Sequence, residues 1–180
     1  MADDRFSSPV FVPGAPFAGR LVWAWRYGAT QWRRAFGLNV SRLDTLLYVG
    51  GAFRADQWPR LHALGIRAVL SLQAEREDAF SGPLPVRALR LPVPDFHSPT
   101  IDQLHDAVAF LDAAHSDGLA TLVHCHAGVG RAPLTAAAYL VACGATSRGA
   151  LERVRSARPI IGLNQRQLKR LVEWERAIRG

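Results

Sequence analysis

The chain has 180 residues, 49% of them hydrophobic, which suits one globular domain with a full core. Its formal net charge of +7 is carried almost wholly by arginine, since Lys169 is the only lysine. That balance favours anionic partners, but without a lysine-rich tail or a basic stripe interleaved with stacking aromatics, nucleic acid is not expected among them. Two cysteines, Cys125 and Cys143, exclude a disulfide framework and have no metal-ligand spacing, so a reducing, cytoplasmic setting and a monomer are expected.

Two segments are expected, an N-terminal stretch 1–39 and a domain 40–180. The first begins as an extended arm, with Pro9, Pro13, Gly14, Pro16 and Gly19 among apolar residues. No positively charged start precedes an apolar core, so no signal peptide is read. Leu21–Phe36 sets Trp23, Trp25, Tyr27, Trp32 and Phe36 among Arg20, Arg26, Arg33 and Arg34, too short and too charged to cross a bilayer. The preferred reading is a helix packed on the domain with its arginines reaching outward; peripheral membrane contact through Leu21–Phe36 is the competing one.

Asn39 to Asp44 leads into a strand, Thr45–Val49, closed by Gly50-Gly51. Asp56 is expected to cap a helix ending at Leu64, with Pro59 in its first turn and Gly65 as its stop. Ile66–Leu72 is a buried strand. Glu75, Glu77 and Asp78 follow it and read as a solvated loop rather than a metal site. Val86–Leu91 is a third strand. Pro92, Pro94 and Pro99 then argue against regular pairing and predict a stiff surface loop carrying one carboxylate, Asp95.

Thr100 and Gln103 fit a capping box opening a helix to Asp117, with Leu104, Val108, Leu111 and Ala114 as its face and Gly118 as its stop. His105 and His115 read as exposed helix residues. An apolar strand, Leu119–Val123, runs into the loop that organises the chain, His124-Cys125-His126-Ala127-Gly128-Val129-Gly130-Arg131-Ala132-Pro133. A very apolar helix follows to Ala142, which puts Cys143 a whole helix away from Cys125 and out of disulfide reach. Ser147–Arg158 is a further helix ending before Pro159. Asn164 caps a last one to Ile178, and Gln167 stands at capping-box spacing from it.

The loop's chemistry follows from its residues. A strand, a tight turn and a helix start leave unpaired N–H groups and positive dipole potential facing one point, which is an anion site. Gly128 and Gly130 let the amides of His126, Ala127, Gly128, Val129 and Gly130 curl inward as a nest. Arg131 adds a bidentate, permanently charged fork. A thiol in such a field is favoured as its nucleophilic form. Cys125 as nucleophile, an amide cradle and Arg131 together describe phosphoryl transfer. Asp95 can protonate the departing oxygen and later activate water, with His97 as the rival acid.

His124-Cys125, Gly128 and Arg131 match the HCxxGxxR loop, and the chain from about residue 40 to 178 resembles the dual-specificity branch of the cysteine-dependent phosphatases. The resemblance implies a phosphocysteine intermediate and a single α/β domain: a central, mostly parallel sheet of four or five strands flanked by helices. Pro94-Asp95-Phe96 and Pro99 are similar to the family's general-acid loop, and His124 would steady Cys125 by bonding loop carbonyls with its ring. Gln167 would help position water; the helix cap is its alternative role. The family usually places Ser or Thr after the arginine, where this chain has Ala132, so the resemblance implies slower release of the thiolate. Arg-Ala-Pro also occurs in plant glucan phosphatases. No metal and no cofactor are expected, because arginine and amides serve as the charge clamp. The expected substrate is a phosphorylated protein. Phosphoinositide and phosphoglucan are alternatives, the former weakened because His126 and Val129 stand where lipid phosphatases usually carry lysine. A weakly catalytic phospho-binding module stays open as well.

Overall fold

A computed structural model describes residues 37–180, so the arm and the Leu21–Phe36 segment lie outside the described residues. The strands are β1 (Val40–Arg42), β2 (Leu47–Gly50), β3 (Ile66–Gln73), β4 (Arg87–Val93) and β5 (Ala120–His124). They form one sheet in the order β1-β2-β5-β3-β4, in which β2, β5, β3 and β4 run parallel and β1 pairs antiparallel with β2. The central strands are apolar along almost their whole length because helices and loops cover both faces of the parallel sheet.

The helices are α1 (Trp58–Ala63), α2 (Ile101–Ser116), α3 (Arg131–Ala142), α4 (Ser147–Ala157) and α5 (Gln165–Arg179). Helix α3 is buried at every residue from Arg131 to Val141, which is why its sequence is hydrophobic all round rather than along one stripe. It sits in the larger core with Leu70, Val123, Leu104, Leu111, Leu151, Leu171 and Trp174. A smaller core of Phe53, Trp58, Leu61, Ile66, Val69 and Leu122 seals the sheet elsewhere. The capping boxes at Thr100 with Gln103 and at Asn164 with Gln167 both form.

Four sequence expectations need correction. Asp56 caps nothing: Arg54 is the N-cap of a short 3-10 turn, Ala55–Gln57, ahead of α1, and the Asp56 carboxylate pairs with the Arg54 guanidinium at 2.8 Å. Val40–Arg42 is a strand, too short to show a period in sequence. Pro92 lies inside β4, which is possible because β4 is an edge strand and its pairing with β3 is irregular between Ser71 and Gln73. His115 is half-buried, its Nδ1 2.9 Å from the Tyr139 hydroxyl. Burial, with Cys143 and then Asp112 as neighbours, pushes the Tyr139 phenol up.

Because four strands are parallel, their carboxyl ends share one edge of the sheet. That edge gathers Gly50-Gly51 from β2, the 73–78 loop from β3, the 93–97 loop from β4 and the 124–131 loop from β5. Ligand sites of open α/β sheets lie at such an edge.

Candidate active site

Strand β5 ends at His124, and the next six residues turn sharply into α3. Cys125 is buried at 2% exposure, and its Sγ accepts the Gly128 N–H at 3.3 Å. Gly128 has φ +71, and a Cβ there would lie 2.5–2.6 Å from the Gly50 carbonyl and from Arg158 Nη2, so only glycine fits this turn. His126, Ala127, Val129 and Gly130 form a half-buried rim around it.

Arg131, 1% exposed, is held from two other strand ends. Its Nη1 donates to Glu75 Oε1 at 2.8 Å, Glu75 Oε2 at 3.1 Å and Val93 O at 2.6 Å. Its Nη2 lies 3.0 Å from Asp95 Oδ1, an ion pair that is off the N–H direction, so Nη2 has no aligned acceptor among the described residues. Burial raises the Glu75 carboxyl, but the bonds it accepts from its own backbone and from Arg131, with the charges of Arg131 and His126, overcome this and hold it below the usual range.

The Asp95 loop is tied down as a tight turn. Phe96 has φ +60, its N–H donates to Asp95 Oδ1 at 3.0 Å, and the His97 N–H reaches Pro94 O at 3.1 Å. Two amide side chains at the start of α5 grip it. Asn164 Nδ2 donates to Phe96 O at 2.8 Å and Gln167 Nε2 to His97 O at 3.0 Å. Gln167 also lies against the cysteine loop, since a Cβ on Gly130 would fall 2.8 Å from its Nε2. The cap and the place beside the loop are thus both real for Gln167.

This edge of the sheet thus holds a buried thiol that accepts a loop amide, and a guanidinium with one unaligned nitrogen 3.0 Å from a carboxylate. The model of the family described as "Dual specificity phosphatase, catalytic domain" matches residues 47–177. The chain belongs to that family. It is 31% identical over 131 residues to human dual specificity protein phosphatase 1, covering 72% of this chain and 35% of that one. It is 39% identical over 98 residues to human dual specificity protein phosphatase 12, covering 53% of this chain and 29% of that one. The chain therefore spans about a third of the length of these curated relatives. Among solved structures it is similar to PTPMT1 in complex with PI(5)P, with a TM-score of 0.71 at 25% identity over 78% of this chain and 96% of that one. Human DUSP28 gives a TM-score of 0.70 at 26% identity over 79% and 96%.

Two sequence readings change here. The 75–78 loop is a solvated charge run only in part, with Glu77 84% exposed. Glu75 binds Arg131, while Asp78 Oδ2 lies 2.8 Å from His124 Nε2 and Asp78 Oδ1 accepts Gln73 Nε2 at 3.2 Å. His124, fully buried, therefore meets a carboxylate from the loop after β3 rather than loop carbonyls, and its Nδ1 has no partner among the described residues. Asn39 and Arg158, which sequence reasoning passed over, touch the cysteine loop directly: Asn39 Nδ2 on Ala127 O and Arg158 Nε on Gly128 O. The one available signal was Arg158 itself, an arginine predicted at a helix end directly before a proline.

Proposed function

We propose that this chain hydrolyses phosphate monoesters through a phosphocysteine intermediate, acting on phosphorylated proteins. The observation that carries the reading is that Arg131, six residues after Cys125 on the same loop, brings its Nη2 to 3.0 Å from Asp95 Oδ1 on the loop after β4. Cys125 attacks phosphorus in line with the ester oxygen, forming S–P as O–P breaks. The loop N–H groups and Arg131 hold the equatorial oxygens, where developing charge is met by donors already in place. Glu75 and Val93 O occupy Nη1 and hold the guanidinium still, which leaves Nη2 for the phosphoryl group. Asp95 gives its proton to the leaving oxygen. In the second step it takes one from water, which attacks phosphorus, breaks S–P and releases phosphate. No metal is needed in this reading, because the charge clamp is arginine and amides. His124 and Asp78 steady the strand end that bears Cys125, and Gln167 is placed to orient the attacking water.

Phosphoprotein as substrate is supported by the names of the dual specificity protein phosphatases that this chain resembles. A phosphoinositide is the second reading, favoured by the similarity to PTPMT1 in complex with PI(5)P. We favour protein because the loop holds His126 and Val129 and no lysine. A monomer in a reducing cytoplasm, without nucleic acid, completes the proposal; both cysteines are free, and no helix among the described residues is long and apolar enough to cross a membrane.

The test is turnover of a nitrophenyl phosphate by the full chain, then rates on phosphopeptides, phosphoinositides and phosphoglucan. Cys125→Ser should abolish turnover while inorganic phosphate still binds. Steady hydrolysis by a clean Cys125→Ser preparation would sink the phosphocysteine route. A single burst without turnover in the native chain would make it a phospho-binding module, and faster lipid or glucan hydrolysis would move the substrate.

A further inference from the structure

The four carbonyls from His126 to Val129 each meet a donor from a different part of the fold. The Ala52 N–H donates to His126 O at 3.0 Å and the Gly162 N–H to Val129 O at 2.9 Å. Between them, Asn39 Nδ2 donates to Ala127 O at 3.1 Å and Arg158 Nε to Gly128 O at 2.6 Å. These peptides are trans, and in a trans peptide the carbonyl and the following N–H point in opposite directions. Anchoring the four oxygens outward therefore turns the N–H groups of Ala127, Gly128, Val129 and Gly130 inward. The Gly128 N–H, aimed at Cys125 Sγ, shows the outcome.

Arg158 stands apart from the other three donors. It is a charged side chain, 2% exposed, with no part in the chemistry above. Its Nη2 donates to Asn39 Oδ1 at 2.6 Å and its Nη1 to Ser41 Oγ at 3.2 Å. Asn39 passes the contact on to Ala127 O, so one planar fork and one amide hold two adjacent loop carbonyls as a unit. Ser41 and Asn39 come from the antiparallel edge of the sheet, Arg158 from the end of α4. Both are far from the cysteine in sequence.

We propose that Arg158, together with Asn39, is a positioning residue for the anion cradle. It acts through the carbonyls of Ala127 and Gly128 to aim the amides that bind the phosphoryl oxygens. Its buried positive charge also stands behind the peptide that meets the anion. Lysine cannot replace it, because a point ammonium cannot serve Gly128 O, Asn39 Oδ1 and Ser41 Oγ in one plane.

The inference rests on the reading of this loop as a phosphate cradle, and it is tested by binding rather than turnover. Inorganic phosphate is titrated calorimetrically into the full-length wild type, Arg158→Met, Arg158→Lys and Asn39→Ala, with the folded fraction of each read from tryptophan fluorescence. Expected is affinity per folded chain weaker by on the order of tenfold to a hundredfold for both Arg158 variants, the scale of losing an oriented oxyanion donor. Asn39→Ala should lose less, about threefold to tenfold, because Arg158 still holds Gly128 O. A merely structural role predicts something different: fewer sites, each with wild-type affinity. Wild-type affinity in folded Arg158→Met overturns the proposal. If that variant does not fold, unchanged affinity in Asn39→Ala does so. A wild type that binds phosphate yet hydrolyses nothing refutes the proposed function alone, and leaves this inference standing.

Discussion

A single methyl group at Gly128 should cost both stability and turnover, by an amount the geometry allows to be worked out. Its φ of +71 is left-handed, which costs an L-residue about 1–2 kcal/mol. The new Cβ would also lie 2.5 Å from Gly50 C, 2.6 Å from Gly50 O and 2.5 Å from Arg158 Nη2. Two of those atoms are backbone and cannot turn aside, so overpacking adds about 1–3 kcal/mol. The sum, about 2–5 kcal/mol, corresponds to a fall in Tm of roughly 6–15 °C for a domain of this size. Gly144→Ala is the control, with φ +98 but nothing within 4 Å of a Cβ. It should show the conformational cost alone, about 1–2 kcal/mol, and keep wild-type turnover. The loop can escape the clash only by rotating the peptides that flank Gly128, which swings its N–H off Cys125. A Gly128→Ala protein that keeps its stability should therefore lose activity. Thermal unfolding and kcat/KM on an aryl phosphate measure the two. A variant within 2 °C of the wild-type Tm and within twofold in kcat/KM would refute the reasoning.

Asp95→Asn should lower kcat/KM by about a hundredfold to ten-thousandfold on an alkyl phosphate, and far less on a nitrophenyl ester that needs no proton. An equal, small loss on both would move the acid to His97. Ala132 has no hydroxyl to bond the departing Cys125 thiolate, so a burst near one equivalent is expected on rapid mixing with an aryl phosphate. Ala132→Ser should then shrink the burst and raise the steady rate about tenfold to a hundredfold, the worth of one charge-assisted hydrogen bond; no burst and no gain would show that the loop compensates. Glu75 has a lowered carboxyl in the folded chain, so its contribution to stability is present above its ordinary value and lost as pH falls through the lowered one. The stability difference between wild type and Glu75→Gln should be constant above about pH 5 and shrink below pH 4.5, the ordinary value; a difference that does not change with pH would assign the effect to packing.

Much of this protein is legible along the chain because its determinants are local. Alternating runs of apolar strand and amphipathic helix, the Thr100 and Asn164 caps and the glycines that stop helices each act within a few residues. They specify a parallel α/β domain without reference to anything distant. The cysteine loop is local too: Cys125, Gly128, Gly130 and Arg131 carry their chemistry at fixed spacing, and the proline-rich stretch around Asp95 announces an unusual loop. What the tertiary structure alone decided is which distant groups meet that loop. Glu75 and Asp78 look like ordinary solvated charges in sequence, and nothing near them indicates that Arg131 and His124 are their partners. Asn39 and Arg158 are ordinary residues at a lead-in and a helix end, yet they hold adjacent carbonyls of one turn. The reason is topological. Parallel strands bring their carboxyl ends to a single edge only once the sheet is assembled, and the strand order β1-β2-β5-β3-β4, which no local pattern encodes, determines which side chains stand there as neighbours.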